Sequence, residues 1–568
     1  MIVKTLRNFL PEKIKITSWE VVEPYFKQLL ETSINNRAEL EKWLLNKSEL
    51  EAFLSEDLAW RYVRMTCDTE NKDFEKSYLF YVSEIEPKIS PLSDQLNRKL
   101  VASPYLSELD NEKYAIYLRG IKKEIEIFRE SNVPLFAEIA IESQKYGSIV
   151  GSMMVEIDGK ELTLQQAANF LKDPDRNKRE HAFNLINTKR LLHAEELDEL
   201  FNKLIGLRHK VAINAGFENF RDYMFAALGR FDYSSDDCFA FHQAIQTEVL
   251  PIATQFNQKR EKELGHKLRP WDLEVDTKNR TALEPFTSGK DLLDKTVKCF
   301  RKVDDYFAWC IETMDNMERL DLESRKGKAP GGYNCPLAES GAPFIFMNAA
   351  GQMSDVTTMV HEGGHAIHSF LSHHLSLSAF KEYPMEIAEV ASMSMELFSM
   401  DHWQSFFDNE TDLNRAKEHQ LERTITIFPW IAIIDKFQHW VYEHPAHTIE
   451  ERTQTWTSIL KEFSTGSIDY TGLDEFRAIG WQRQLHLFEV PFYYIEYGIA
   501  QLGAIGMWMQ YQQNPSAALE NYMNALALGG TKTLPELYQT AGIEFNFSPN
   551  YVKNLMDFTN AQLEKLYQ

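Results

Sequence analysis

Over most of the chain the apolar positions recur at helical steps. Between residues 39 and 60, Leu40, Trp43, Leu44, Leu50, Phe53 and Leu54 share one face, and the spacing predicts a long amphipathic helix. The stretches 79–100 and 113–130 repeat the pattern, and the whole of 14–132 reads as scaffold helices. The same period returns over 164–187, interrupted at Pro174-Asp175, and over 196–229. The expected fold is therefore mostly α-helical.

The period changes in two places. Around 149–162, Val150, Met153, Val155 and Ile157 lead into Asp158-Gly159, which predicts a hairpin with a D-G turn. Over 326–348, Pro330-Gly331-Gly332 requires a loop, and Phe344-Ile345-Phe346-Met347 is a short β-prone run. An exposed sheet edge can take up an extended peptide through main-chain hydrogen bonds. On pattern alone, such an edge and a buried strand without ligand role both remain open for this run.

The next helix carries chemistry. Residues 355–370 read DVTTMVHEGGHAIHSF, with His361, Glu362 and His365 in the order H-E-x-x-H. A four-residue step turns a helix by about 400°, so the two imidazoles stand one turn apart and can grip one metal ion. Glu362 sits where its carboxylate reaches a metal-activated water, the arrangement of metalloproteases. Met359, Val360, Ala366, Ile367 and Phe370 make the helix apolar, and buried ionisable groups need partners. Gly363 and Gly364 each cost about 1 kcal/mol in a helix interior, so close backbone approach or substrate passage is expected there. His368, His373 and His374 are read as structural or solvated, since three protein ligands suffice for zinc. Glu386, Glu389 and Glu396 follow on a helix of Ile, Ala, Val and Met. They lie near one face, and spacing alone does not separate Glu386 from Glu389 as third ligand. A last crowded segment, 486–503, holds His486, Tyr493, Tyr494 and Tyr497. It reads either as aromatic core or as a set of donors for a developing oxyanion.

Composition narrows the class. A chain of 568 residues predicts two or more lobes, and a net charge of −23 argues against nucleic acid. Cys67, Cys238, Cys299, Cys310 and Cys335 are odd in number and scattered, as in a reduced cytoplasmic protein. Residues 1–10 lack the apolar core of a secretory signal, and no apolar run is long enough to span a membrane. The sequence does not indicate an oligomeric state.

The run from Gly327 through Gly331-Gly332-Tyr333, then Pro343-Phe344-Ile345-Phe346-Met347-Asn348, then HEGGHAIHS, then Glu389-Val-Ala-Ser resembles the thimet oligopeptidase superfamily. It is most similar to the oligoendopeptidase F and Pz-peptidase branch. The resemblance implies two helical lobes, here 1–200 and a catalytic 201–568, enclosing a deep substrate channel, with a small zincin-like sheet near the zinc helix. It implies one Zn²⁺ per chain, held by His361, His365 and Glu389, with Glu362 as general base. His486, Tyr493 and Tyr497 would steady the oxyanion, and Phe344, Ile345, Phe346 and Tyr494 would contact substrate. The activity implied is endopeptidase action on short unfolded oligopeptides. Two other readings are a di-iron helix bundle, in which Glu263-x-x-His266 joins Glu362-x-x-His365, and a non-catalytic peptide-binding scaffold.

Overall fold

A computed structural model describes residues 7–567. The N-terminal reading over 1–10 therefore lies largely outside the described residues. The chain is mostly α-helical, with one two-stranded and one three-stranded sheet among the described residues.

The helix predicted at 39–60 lies within Arg37–Cys67, which starts where the Asn36 side chain accepts from Glu39 N at 2.9 Å. All six predicted face residues are buried in one core with Phe26, Leu96 and Leu100. Each such side chain contributes about 1.5–3 kcal/mol on full burial, which is why a 31-residue helix can carry so many charges on its other side. The interruption at Pro174-Asp175 is a helix start: Asp175 accepts from Asn177 N and caps Arg176–Leu191. Asp272 of the Arg269-Pro-Trp-Asp segment is fully buried and accepts from Arg176 and Arg179 at 2.7 and 2.8 Å.

The hairpin forms from β1 (Met154–Ile157) and β2 (Lys160–Thr163), antiparallel. Asp158 and Gly159 take φ of +53° and +72°, the left-handed pair that a two-residue hairpin turn needs. The residues just before it, expected in the hairpin from 149, instead end the helix Val133–Gly151.

The second sheet holds β3 (Leu320–Glu323), β4 (Tyr333–Cys335) and β5 (Phe344–Ala349) in the order β3-β5-β4. Strand β5 is central, parallel to β3 and antiparallel to β4. This corrects the expectation for Phe344, Ile345 and Phe346. Both hydrogen-bonding edges of their strand are taken, and all three side chains are buried, so they form no peptide-binding edge. The outer strands beside them are β3 and β4, and the loop 324–332 leads into β4. The loop before it is pinned: the Lys328 ammonium donates to Asp321 and to the Glu323 carbonyl, and Asn348 Nδ2 donates to the Ala329 and Gly331 carbonyls at 2.8 Å. The long N-terminal helix holds the same loop, with Ala329 N donating to Thr66 O at 2.8 Å.

The chain forms two compact units. One gathers Met1–Val133, Leu283–Lys417 and Ile499–Phe545; the other gathers Pro134–Ala282, Glu418–Gly498 and Asn546–Gln568. These units are assembled from interleaved segments, whereas a division at 200/201 follows chain order.

Candidate metal centre

The H-E-x-x-H motif sits on the helix Met353–Ser372, entered through a capping box of Gln352 and Asp355. Directly beside it packs Met385–Met400, the helix of the three carboxylates. Gly364 is what allows their approach. A Cβ there would lie 2.6 Å from the Ala391 carbonyl oxygen and from Ser392 Cα. A Cβ on Gly363 would strike the Phe300 ring at 2.8 Å. The two glycines expected to serve close approach thus face a helix backbone and an aromatic ring.

This contact brings Glu389 onto the histidines. Its Oε2 lies 3.4 Å from His361 Nε2 and 3.7 Å from His365 Nε2. One ligand atom from each of His361, His365 and Glu389 falls within a 4.8 Å cluster. Two ligands at 2.0–2.2 Å from one tetrahedral ion stand roughly 3.3–3.6 Å apart, so the spacing fits a zinc-sized cation, as does the N, N, O donor set. Glu389 is held by Ser392 Oγ, which donates to its Oε2 at 3.1 Å. Glu386 is buried on the same helix but does not join this cluster.

Glu396 has a different place. Its Oε1 lies 2.7 Å from His361 Nδ1. A carboxylate there makes Nδ1 the protonated nitrogen and leaves the Nε2 lone pair turned to the cluster. Burial works against a charged His361, but Glu389 and Glu396 outweigh it and raise its pKa well above the usual value. Burial lowers His365 to about 4, in the neutral form a metal requires. Glu362 is 6 % exposed, and burial pushes its carboxyl up to about 7, partly offset by His361. Its backbone carbonyl accepts from Asn334 Nδ2 of β4 at 3.2 Å, which ties the outer strand to the motif. His368 is fully buried and stacks on Tyr383 at 3.5 Å between ring centroids.

The other unit holds a ring cluster. His486 lies 5.9, 4.9 and 5.9 Å from the rings of Tyr493, Tyr494 and Tyr497. Trp430 Nε1 donates to Gln484 Oε1 at 2.9 Å, which turns the Gln484 amide nitrogen toward His486 Nδ1 at 2.6 Å. The proton of His486 is thereby placed on Nε2. The tyrosines follow a strained residue: Phe492 has φ of +67°. Gln438 Oε1 accepts from Phe492 N at 2.6 Å, and buried Arg230 donates to the Phe492 carbonyl and pairs with Glu496 at 2.7 Å. Among the described residues these two groups gather every polar site residue expected from sequence: His361, Glu362, His365 and Glu389 in one unit, His486, Tyr493, Tyr494 and Tyr497 in the other.

The model of peptidase family M3 matches residues 169–557, and that of the M3 N-terminal domain matches 9–128. The chain belongs to peptidase family M3. An oligoendopeptidase F homologue of Borreliella burgdorferi is 23 % identical over 97 % of this M3 chain and 94 % of its own length. Oligopeptidase PepF of Bacillus subtilis is 22 % identical over 72 % of this chain and 60 % of its own. A Pz peptidase A solved with an inhibitor superposes with a TM-score of 0.91 at 27 % identity, covering 98 % of this chain and 99 % of the other. The resemblance to the oligoendopeptidase F and Pz-peptidase branch stands.

For this M3 peptidase the di-iron arrangement is absent among the described residues. Glu263 lies exposed near a helix end closed by Gly265 in the left-handed conformation, and it accepts from Thr277. The roles of Glu396, Gln484, Trp430 and Arg230 were not read from sequence. Glu396 alone had a signal there, a buried carboxylate at the helical step of seven from Glu389.

Proposed function

We propose that this M3 peptidase is a zinc-dependent endopeptidase of short unfolded oligopeptides. The observation that carries the reading is the convergence of His361, His365 and Glu389 beside a buried Glu362. His361 Nε2, His365 Nε2 and a Glu389 oxygen would hold the ion, with Glu396 fixing the His361 tautomer. Zinc, when bound, supplies the Lewis acidity that polarises a peptide carbonyl and acidifies water. Glu362 takes the proton of the attacking water and returns it to the leaving amine. A carboxyl raised toward neutrality suits both transfers. Of the two outer strands, β3 and β4, the edge of β4 is the proposed place for the substrate's main chain, because Asn334 of β4 is bonded to the Glu362 carbonyl. His486 Nε2–H and the hydroxyls of Tyr493 and Tyr497 are the proposed oxyanion donors, with Tyr494 contacting substrate; family resemblance supports these roles. No helix among the described residues is long and apolar enough to cross a membrane. Five cysteines outside any disulfide favour the cytoplasm.

The test is a peptide mixture incubated with the purified protein, with and without chelator, and read by mass spectrometry. Internal cleavage that chelator abolishes and zinc restores is expected. Binding without cleavage would return the chain to a peptide-binding scaffold.

A further inference from the structure

The second unit contains another buried set of ligand-type side chains. The helix Ser235–Ala244 carries Cys238 and His242, one turn apart. The long helix Glu410–Glu443 carries Asp435 and His439, also one turn apart. All four are buried, Asp435 completely. A Cys238 sulfur, an Asp435 oxygen and a His439 nitrogen lie within 4.8 Å of one another.

Several nitrogen and oxygen atoms of His439 and Asp435 have no hydrogen-bond partner. His439 Nε2 stands 3.2 Å from Asp435 Oδ2 but outside hydrogen-bond geometry, and neither of its nitrogens has a hydrogen-bond partner. Asp435 Oδ1 has none either. Buried polar atoms of this kind are rare without a partner. The 3.2 Å separation resembles the 3.4 and 3.7 Å separations at the H-E-x-x-H centre and is close to the spacing of two ligands on one tetrahedral ion. His242 Nε2 meets Asp435 Oδ2 at 2.8 Å, so one carboxylate oxygen is held by a histidine while the other is unpaired. Rings of Phe225, Phe239 and Phe492 enclose His439 at 6.0, 4.8 and 5.5 Å, an apolar shell with Phe239 itself 39 % exposed.

We infer that Cys238, Asp435 and His439 form a second, structural site for a divalent transition cation of the zinc class, with His242 orienting the Asp435 carboxylate. The mixed thiolate, carboxylate and imidazole set suits zinc and disfavours magnesium or calcium. Burial beneath Phe239 makes it a site filled on folding and closed to substrate. It ties two helices that are nearly 200 residues apart in the chain, and it raises the expected metal content from one ion per chain to two.

The test separates this site from the catalytic one. Full-length protein would be purified without chelator as wild type, as H361A/H365A, and as C238A, and its zinc counted by elemental analysis. Two, one and one ions per chain are expected. The H361A/H365A protein would then be loaded with cobalt(II). A near-ultraviolet thiolate-to-cobalt band is expected, which two imidazoles and a carboxylate cannot give, and which is lost in H361A/H365A/C238A. This spectrum decides the matter even where C238A alone folds poorly. An H361A/H365A protein that holds no zinc and shows no such band overturns the site, leaving Asp435 as a carboxylate between two imidazoles. A band that survives loss of Cys238 overturns the ligand assignment.

Discussion

At the scale of single residues, four carboxylates of one neighbourhood separate by environment. Glu389 converges with two Nε2 atoms, Glu396 sits on His361 Nδ1, Glu362 is buried beside them, and Glu386 stands apart. Glu362→Gln is expected to keep zinc and lose about 10²–10⁴-fold in kcat, because an amide accepts no proton. Glu389→Gln is expected to lose the metal instead, and elemental analysis beside kinetics shows whether the two roles are reversed. Glu396→Gln should weaken zinc about 10–100-fold while leaving the three ligands in place, read by competition with a chelating dye. The pH dependence has a definite sign. On the proposed mechanism Glu362 works deprotonated, so kcat/KM should fall as pH drops through its pKa. Burial, partly offset by His361 and reinforced by Glu389 and Glu396, puts that pKa at about 7, and a bound cation pulls it lower. The acid limb should therefore lie below about pH 7 and disappear in Glu362→Gln, whose residual activity should be flat across that range.

At the scale of elements, the two glycines of the motif make a sharp comparison with glycines elsewhere. Gly364→Ala puts a methyl 2.6 Å from the backbone of the neighbouring helix. It should cost about 1–3 kcal/mol and weaken zinc, since Glu389 lies on the displaced helix. Gly120→Ala, in the helix Asn111–Ile127 with nothing within 4 Å, should be neutral or stabilising by up to about 1 kcal/mol. Thermal melts and zinc titration of both variants test the pair; equal effects would mean that the close approach is not what Gly364 serves. The same elements show what could be read beforehand. The helix with Leu40, Trp43 and Leu44 was legible because one apolar face repeats for about four turns, and the hairpin because Asp158-Gly159 names its own turn. The strand order was not legible. A run such as Phe344-Ile345-Phe346 says that it is buried, but not which strands flank it, because pairing partners lie elsewhere in the chain. Likewise Cys238 and Asp435 each look unremarkable alone, and only the fold sets them side by side.

At the scale of the whole molecule, the proposed function places two demands on what this M3 peptidase can cut. Glu362 and Glu389 are buried in their unit, at 6 % and 3 % exposure, while His361 and His365 stay partly exposed. The edge proposed to receive a substrate is that of β4, three residues long, and it can pair only with backbone whose own N–H and C=O groups are unpaired. A flexible peptide meets both demands at the cost of its own ordering. A folded protein has its backbone groups already paired, and releasing a segment costs on the order of its 5–15 kcal/mol global stability where no local opening is available. The rate against such a substrate should therefore fall by the population of its open form, a factor of roughly 10³ or more at the lower end of that range. The assay uses one sequence in lengths from about 5 to 40 residues, beside a compact folded protein carrying the same cleavable segment. A disordered protein would mislead, since it has no fold to protect it. Destabilising the folded substrate by point mutation should raise its cleavage in proportion to the open population, while the short peptides stay unchanged. Comparable rates on the native fold and on the free peptide would show that the enzyme does not require an extended, unpaired segment, and would remove the β4 edge from the account of substrate binding.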